Sequence, residues 1–408
     1  MNMLIQFTIG NYRSIRDPQS VSMVARGSLH HEPQNLFQVS GYRRSLLKSA
    51  VLYGANASGK SNLIRGMLVM QALVRQRGVQ DNQAKALLAP FRLRESPETV
   101  PLHVEMEFIS HGQRFRYGFE CRPERVVSEW LYAQRQRMVL MFAREDNHFV
   151  RQSPDCTELA AWNKILADTR LTLPEEALFL PTAARMFAGG ACEMVCDWFE
   201  NTLVILSADT FHQYLDYTLT SIRQPDIASK IERLIEKADF GINALQPIFD
   251  ENGATGHGTQ VATKHCIHGK SYSLDMFNDE SQGTQKVFAL SAPLLDVLKQ
   301  GKVLAIDELD ASLHPLLASQ LLELFHSDNR ANAQVVATAH SPSLLTETAF
   351  RKDQVWFVNK DKEGASSFMS LASFTGIRGN FNQIAKDYLH GCYGAVPTIP
   401  NLKLETLE

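Results

Sequence analysis

The chain has 408 residues, 44% of them hydrophobic, and a formal net charge of −3. Such a chain buries a sizeable core in one large domain with an insert, or in two domains, and its charge gives no global attraction to a phosphate backbone. Cys121, Cys156, Cys192, Cys196, Cys266 and Cys392 form no C-x-x-C pair, no leader-like N-terminus occurs and no 18-residue apolar run occurs, so we expect a cytoplasmic protein with free thiols and no membrane span.

In chain order, residues 4–9 alternate apolar and polar side chains, and Ser49–Tyr53 is an apolar run that stops at a glycine turn; both predict strands. Leu63, Met67, Met70 and Val74 follow at helical spacing, which puts the glycine turn at a strand-to-helix junction. Residues 101–149 carry the short alternating segments of an antiparallel sheet with one wet face. From 157 to 238 the spacing is helical, too short and too interrupted by Pro174, Pro181 and Gly189-Gly190 for a long coiled-coil arm. Gly253, Gly256 and Gly258 mark a loop, and 271–276 resumes as strand. The last third predicts an α/β unit: strand Val303–Ile306, a helix over 315–325 with proline at its start, strand Gln334–Thr338, then two strands at 355–358 and 368–371 around a turn.

Gly54-Ala55-Asn56-Ala57-Ser58-Gly59-Lys60-Ser61 fits G-x-x-x-x-G-K-[ST], whose N–H groups and helix N-terminus cradle phosphates. In that motif Lys60 reaches the β- and γ-phosphates and Ser61 ligates magnesium. A chance glycine turn is the plain alternative, and the flanking strand and helix weigh against it. Val303–Ile306 delivers Asp307 and Glu308 to the carboxyl edge of a sheet, where ligands of α/β folds bind. Asp307 is the candidate magnesium carboxylate, and Glu308 the candidate for polarising the attacking water. Alone, the same pattern is a strand followed by solvated acids. His340, at the end of the next strand, is a candidate donor to the γ-phosphate or that water, although a lone histidine is more often structural.

Glu280-Ser281-Gln282-Gly283-Thr284 opens a helix, so Ser281 and Gly283 offer a hydroxyl and unpaired N–H groups to a phosphate; the plain reading is an N-cap. His265-Cys266-Ile267-His268 lacks a second spaced pair and makes a poor metal motif. Arg114, Arg116, Arg122, Arg125, Arg135 and Arg137, interleaved with Phe115, Tyr117, Trp130 and Tyr132, fit the wet face of a sheet better than a nucleic-acid surface.

Taken together, G-x-x-x-x-G-K-S, E-S-x-G-T, D-E-L-D-A-S-L-H-P and T-A-H-S-P resemble the ABC-type ATPase heads of the SMC, RecF and OLD branch, nearly end to end. Asn11-Tyr12-Arg13-Ser14 is similar to the N-[FY]-R-S turn of that branch, whose arginine approaches the nucleotide. Tyr388-Leu389-His390-Gly391-Cys392-Tyr393-Gly394-Ala395-Val396-Pro397 resembles the Y-L-x-G-x-Y-G-A-x-P ending of AAA-type ATPases from abortive-infection and phage-defence loci, related to the AbiL and RloA groups.

The resemblance implies an α/β fold: an ABC-type P-loop head with an antiparallel β-rich lobe and a helical insert. Residues 1–150 would form the N-terminal part of the head, 151–240 the insert and 241–408 the C-terminal part. It implies ATP and Mg2+, with the loop from Gly54 to Ser61 and Arg13 on the nucleotide, Ser61 and Asp307 on the metal, and Lys60, Glu308 and His340 in hydrolysis. Two heads would sandwich two ATP molecules, Ser281 and Gly283 of one subunit reaching the γ-phosphate held by the other's Lys60, with residues 311–314 communicating across the dimer. Three departures stand out: Ser-Gln-Gly-Thr-Gln replaces the transporter-like L-S-G-G-Q, His314 stands where SMC-like heads often carry Asp, and Cys392 where relatives commonly show a basic residue. The magnesium-sensing glutamine of such heads has no evident counterpart.

OLD nucleases continue into a TOPRIM domain, and no second acidic cluster follows here, so a nuclease or toxin activity is expected in a separately encoded effector. The reading is an ATP-driven sensor or switch of a prokaryotic anti-phage system, answering to DNA or a phage-derived trigger. The alternatives are a RecF-like DNA-binding ATPase of repair or chromosome maintenance, and a nucleotide-stabilised scaffold.

Overall fold

Ser49–Tyr53, Val303–Ile306 and Gln334–Thr338 are buried at every position, the pattern of strands covered on both faces. They form the centre of a six-stranded sheet ordered Leu203–Leu206, Val303–Ile306, Gln334–Thr338, Ser49–Tyr53, Val355–Lys360, Ser366–Ser370. The first five run parallel and the last is antiparallel to its neighbour. The loops after Tyr53, Ile306 and Thr338 therefore leave the sheet at one edge. The computed structural model describes residues 1–27, 33–76, 78–79, 82–169, 172–238, 241–248, 260–327, 329–376 and 380–397; the loop predicted at Gly253, Gly256 and Gly258 lies outside them.

Among the described residues the largest sheet has seven strands, ordered His148–Gln152, Met138–Glu145, Arg125–Gln134, Gln113–Arg122, Leu102–Ser110, Met3–Gly10, Gln19–Ser22. Its inner face packs Phe7, Phe108, Phe115 and Tyr117 into the same core as Leu63, Met67 and Met70 of the helix Lys60–Gln76. Its outer face carries cross-strand pairs: Arg114 with Glu107, Arg116 with Glu105 at 3.7 Å, and His103 with Glu120 at 3.1 Å. The indole N–H of Trp130 also donates to Glu105 at 2.7 Å. These arginines lie against carboxylates on a half-exposed sheet face, as the alternation predicts.

The carboxylate of Glu129 is fully buried, where it accepts from Arg144 Nε, Tyr117 Oη and the backbone N–H groups of Phe179 and Leu180, all within 2.7–2.9 Å. This joins the lobe to the first turn of the helix Phe179–Met186.

The segment 151–240, read from sequence as a helical insert, does hold the helices Thr157–Thr169, Phe179–Met186, Ala191–Asp197, Phe211–Ser221 and Pro225–Lys237. Between them, however, Leu203–Leu206 enters the nucleotide sheet beside Val303–Ile306. A four-residue apolar run has the same periodicity as a stretch of buried helix, so spacing alone does not separate the two. This edge strand is finished by side chains: Gln71 Nε2 donates to Leu203 O at 2.7 Å, and Thr210 Oγ1 to Ile205 O at 3.1 Å. On the opposite edge Ser366 N donates to Ser14 O at 2.7 Å and Phe368 N to Gln19 Oε1 at 3.0 Å.

The small sheet Ala244–Ile248, Gln260–Ile267, Lys270–Asp275 precedes the helix Gln282–Gln300. His265 Nε2 lies 2.8 Å from Glu280 Oε1, which ties this sheet to the residue before Ser281. The tail helix Phe381–Leu389 and the turn after it lay Tyr388 and Tyr393 on Phe357 of the core sheet, with ring centroids 5.3 and 4.7 Å apart. The two tyrosines of the tail motif are thus packing groups against the strand beside the glycine turn.

Candidate functional site

The phosphate loop is shaped by its neighbours. A Cβ at Gly54 would sit 2.6 Å from Val358 O, and one at Gly59 (φ +108°) would sit 2.2 Å from Ser366 Oγ and 2.6 Å from Ser14 Oγ. Ser366 Oγ donates to Ser58 O at 2.6 Å, and Asn62 Nδ2 to Ser14 Oγ at 2.7 Å, so the edge strand and the turn after the first strand buttress the loop from outside. Ala57 also has positive φ, +60°.

Lys60 is buried, and its ammonium donates to Gly54 O at 2.8 Å and Ala55 O at 3.0 Å. Burial lowers its pKa, offset by the nearby carboxylates of Asp307, Glu308 and Asp310. Ser58 Oγ is buried without a hydrogen-bond partner. At the start of the helix beginning at Lys60, Asn62 N already donates to Gly59 O at 3.1 Å, while the N–H groups of Lys60 and Ser61 precede any intrahelical carbonyl partner. A caged ammonium, an orphaned hydroxyl and free helix-start N–H groups behind a glycine that tolerates no side chain fit a bound phosphate chain.

The adjoining cavity is about 770 Å³ and is lined by Ser14, by Asn56 to Asn62, and by Arg65, Glu308, His340 and Lys360. Opposite the loop, Thr338 Oγ1 donates to Asp307 Oδ1 at 2.6 Å and accepts from Glu308 N at 2.7 Å, fixing both acids with one hydroxyl. Glu308 has φ +52°, and its Oε1 lies 3.6 Å from His340 Nε2. Asp310 accepts from the N–H groups of His340 and Ser341 at 2.9 and 2.6 Å. Strand ends and cavity thus bring Lys60, Ser61, Asp307, Glu308 and His340 to one place, with Ser61 and Asp307 the oxygen donors that suit magnesium.

Ser281, Gly283 and Arg13 are placed elsewhere. Ser281 caps its helix, accepting from Thr284 N at 3.2 Å. A Cβ on Gly283 would sit 2.6 Å from Ser312 O, and neither residue lines the cavity of its own chain. Arg13 is exposed and donates from Nε to Tyr12 Oη at 3.2 Å; its neighbour Ser14 is the one that lines the cavity. His314 caps the next helix, accepting from Leu316 N at 3.3 Å.

Sequence reasoning passed over Ser14, Ser366, Arg65, Thr338, Asp310 and Lys286. Thr338 and Asp310 lie inside quoted motifs, T-A-H and D-E-L-D, and the strand-end position was signal enough to single them out. Ser14 closes the quoted N-[FY]-R-S turn, whereas Ser366 had no such signal, since it reaches the loop through tertiary packing.

The parallel sheet with a phosphate loop, a Walker-type acid pair and a histidine on successive strand ends, flanked by an antiparallel lobe, defines an ABC-type P-loop ATPase head. More particularly, the chain belongs to the family described as "AAA domain, putative AbiEii toxin, Type IV TA system", whose model matches residues 49–150 and 206–346. The matched segments contain the glycine loop, the acid pair and the histidine.

Among solved structures, the chain is similar to an SMC head bound to the C-winged helix domain of ScpA (12% identity, 90% of this chain and 97% of that chain, TM-score 0.49). It is also similar to the SMC head domain from Thermotoga maritima (13%, 90% and 98%, TM-score 0.43). A third is the Smc head with an extended coiled coil bound to the C-terminal domain of ScpA from Pyrococcus furiosus (13%, 96% and 99%, TM-score 0.46). None of the curated proteins matches the chain.

Proposed function

We propose that this chain binds ATP with Mg2+, hydrolyses the ATP, and acts as the switch of an anti-phage system by engaging a second head and controlling a separately encoded effector. The observation that carries the reading is the convergence of Lys60, Ser61, Glu308 and His340 on one open cavity that the chain's own Ser281 and Gly283 do not reach. The placement of those two residues supports a site completed by a second copy. Lys60 and the loop N–H groups would hold the phosphates, while Ser61 and Asp307 would hold magnesium. Bound magnesium supplies charge neutralisation to phosphate oxygens. Glu308 would orient a water and take its proton, and His340 would donate a hydrogen bond beside it. The family's description as an AAA domain and putative AbiEii toxin of a type IV TA system, together with the tail motif, supports a defence setting.

The test is to purify the chain with its genomic neighbour and measure phosphate release and assembly mass with and without ATP, for wild type and Glu308→Gln. The switch reading expects hydrolysis by wild type, at least tenfold less by Glu308→Gln, and a heavier ATP-trapped assembly with the variant. Equal phosphate release by the two proteins, or masses indifferent to nucleotide, would sink it.

A further inference from the structure

Lys286 stands one turn into the helix that Ser281 caps, and its side chain is used by no step above. Its ammonium donates to Glu308 O at 2.6 Å, Ala311 O at 2.8 Å and, over a longer 3.4 Å, Leu309 O. An ammonium has three donors and no acceptor, so this one is spent entirely on the turn that follows the acid strand. That turn is unusual: Glu308 and Ser312 both have positive φ, +52° and +61°, a region disfavoured for residues other than glycine. Such a backbone persists where its surroundings over-determine it.

Two contacts from the Ser281 helix do so. Gly283 meets Ser312 O with no room for a side chain, and Lys286, three residues on and so on the same helical face, grips carbonyls at both ends of the turn, Glu308 O and Ala311 O. Asp310, in the middle, holds the His340 and Ser341 N–H groups. One turn therefore touches the phosphate-facing helix start, the water-orienting carboxylate and the histidine strand end.

We infer that Lys286 is a positioning residue for hydrolysis, locking the turn from Glu308 to Ser312 to the Ser281 helix so that a phosphate contact made at Ser281 is felt at the Glu308 carboxylate. This rests on the reading of the cavity as an ATPase site. Burial lowers the pKa of the ammonium, and the carboxylates of Asp310, Glu308 and Asp307 offset that cost, so the charge is kept where those acids can balance it. A neutral donor would lack that balance.

The experiment compares wild type, Lys286→Met, Lys286→Arg, Glu308→Gln and the Lys286→Met/Glu308→Gln double variant by steady-state hydrolysis, titration with a fluorescent ATP analogue, and thermal melts. Lys286→Met keeps the aliphatic stem and removes the donors. Its kcat is expected to fall roughly 10- to 100-fold, the scale of a small misplacement of a reacting group. KM and analogue affinity should stay within about twofold, since nothing that binds nucleotide is removed. Lys286→Arg should recover part of kcat, and the double variant should be no slower than Glu308→Gln. Unchanged kcat in Lys286→Met, affinity falling in step with kcat, or losses that multiply in the double variant would each overturn the proposal. Should Lys286→Met not fold, Lys286→Gln decides by the same split. A wild-type chain that releases no phosphate would sink the ATPase reading and this inference with it; wild-type turnover with an indifferent Lys286→Met would sink only the inference.

Discussion

His326 is buried with its Nε2 2.9 Å from Ser49 Oγ, at the end of the helix Pro315–His326. Burial, with a smaller contribution from Lys48, pushes its pKa down to about 4 from an unfolded value near 6.5. The neutral ring contributes stability that is fully present above about pH 6.5 and is lost as pH falls through about 4, on the order of 3 kcal/mol in all. The melting temperature should therefore drop across that window in wild type and drop less in His326→Gln; parallel curves would show that the ring does not carry the acid sensitivity. At this scale the catalytic candidates were legible because each is fixed by a short motif: Lys60 by its loop, Asp307 and Glu308 by an apolar run ending in acids, His340 by a third strand end. Ser14 and Ser366 were not, because they meet the loop only once strands distant in sequence are side by side, and Arg65, on the helix that follows the loop, belongs to no motif. Arg65 even has its own partner, Asp209, at 2.8 Å, which no spacing rule pairs with it.

Elements were read well where an apolar run is closed by a distinct motif, the glycine loop, the acid pair or the histidine. Ser49–Tyr53, Val303–Ile306 and Gln334–Thr338 agree with the structure to the residue. The failure was Leu203–Leu206, whose role depends on a partner strand about a hundred residues away. Element junctions are also where single side chains matter most. Glu129 links two neighbouring lobe strands, through Tyr117 and Arg144, to the start of Phe179–Met186, and its removal would strand Arg144, itself 1% exposed, without a counter-charge. Glu129→Ala should cost about 3–5 kcal/mol, read as the shift in urea midpoint at constant m. Replacing both partners, as Glu129→Met with Arg144→Met, should cost less than Glu129→Ala alone; a larger loss in the double variant would refute the ion-pair account.

Considered as a whole, the molecule places the phosphate-loop cavity on one edge of a sheet and leaves the composition uninformative about it. A net charge of −3 says nothing of a cavity in which one buried lysine faces three carboxylates. No helix among the described residues is long and apolar enough to cross a membrane. Gln71 matters at this scale. Its amide nitrogen donates to both Phe199 O and Leu203 O at 2.7 Å, so Gln71→Val should remove the side-chain donor of Leu203 O, leave Phe199 O with the longer 3.4 Å contact from Arg75 Nη2, lower the melting temperature and raise light scattering on mild heating. A variant that stays clear on heating would show that the amide does not guard this margin.

The two margins of the nucleotide sheet differ in sequence but share a fate: each is sealed by groups from outside the sheet, Gln71 and Thr210 on one side, Ser14 and Gln19 on the other. Neither offers a ready template to a stranger's strand. In the head-to-head engagement proposed above, contact would run through the loops at the strand ends, and that mode of contact would carry its own stopping number. Once two cavities had closed on each other, neither partner would have a second to offer, so association in that mode would end at a pair rather than a fibre.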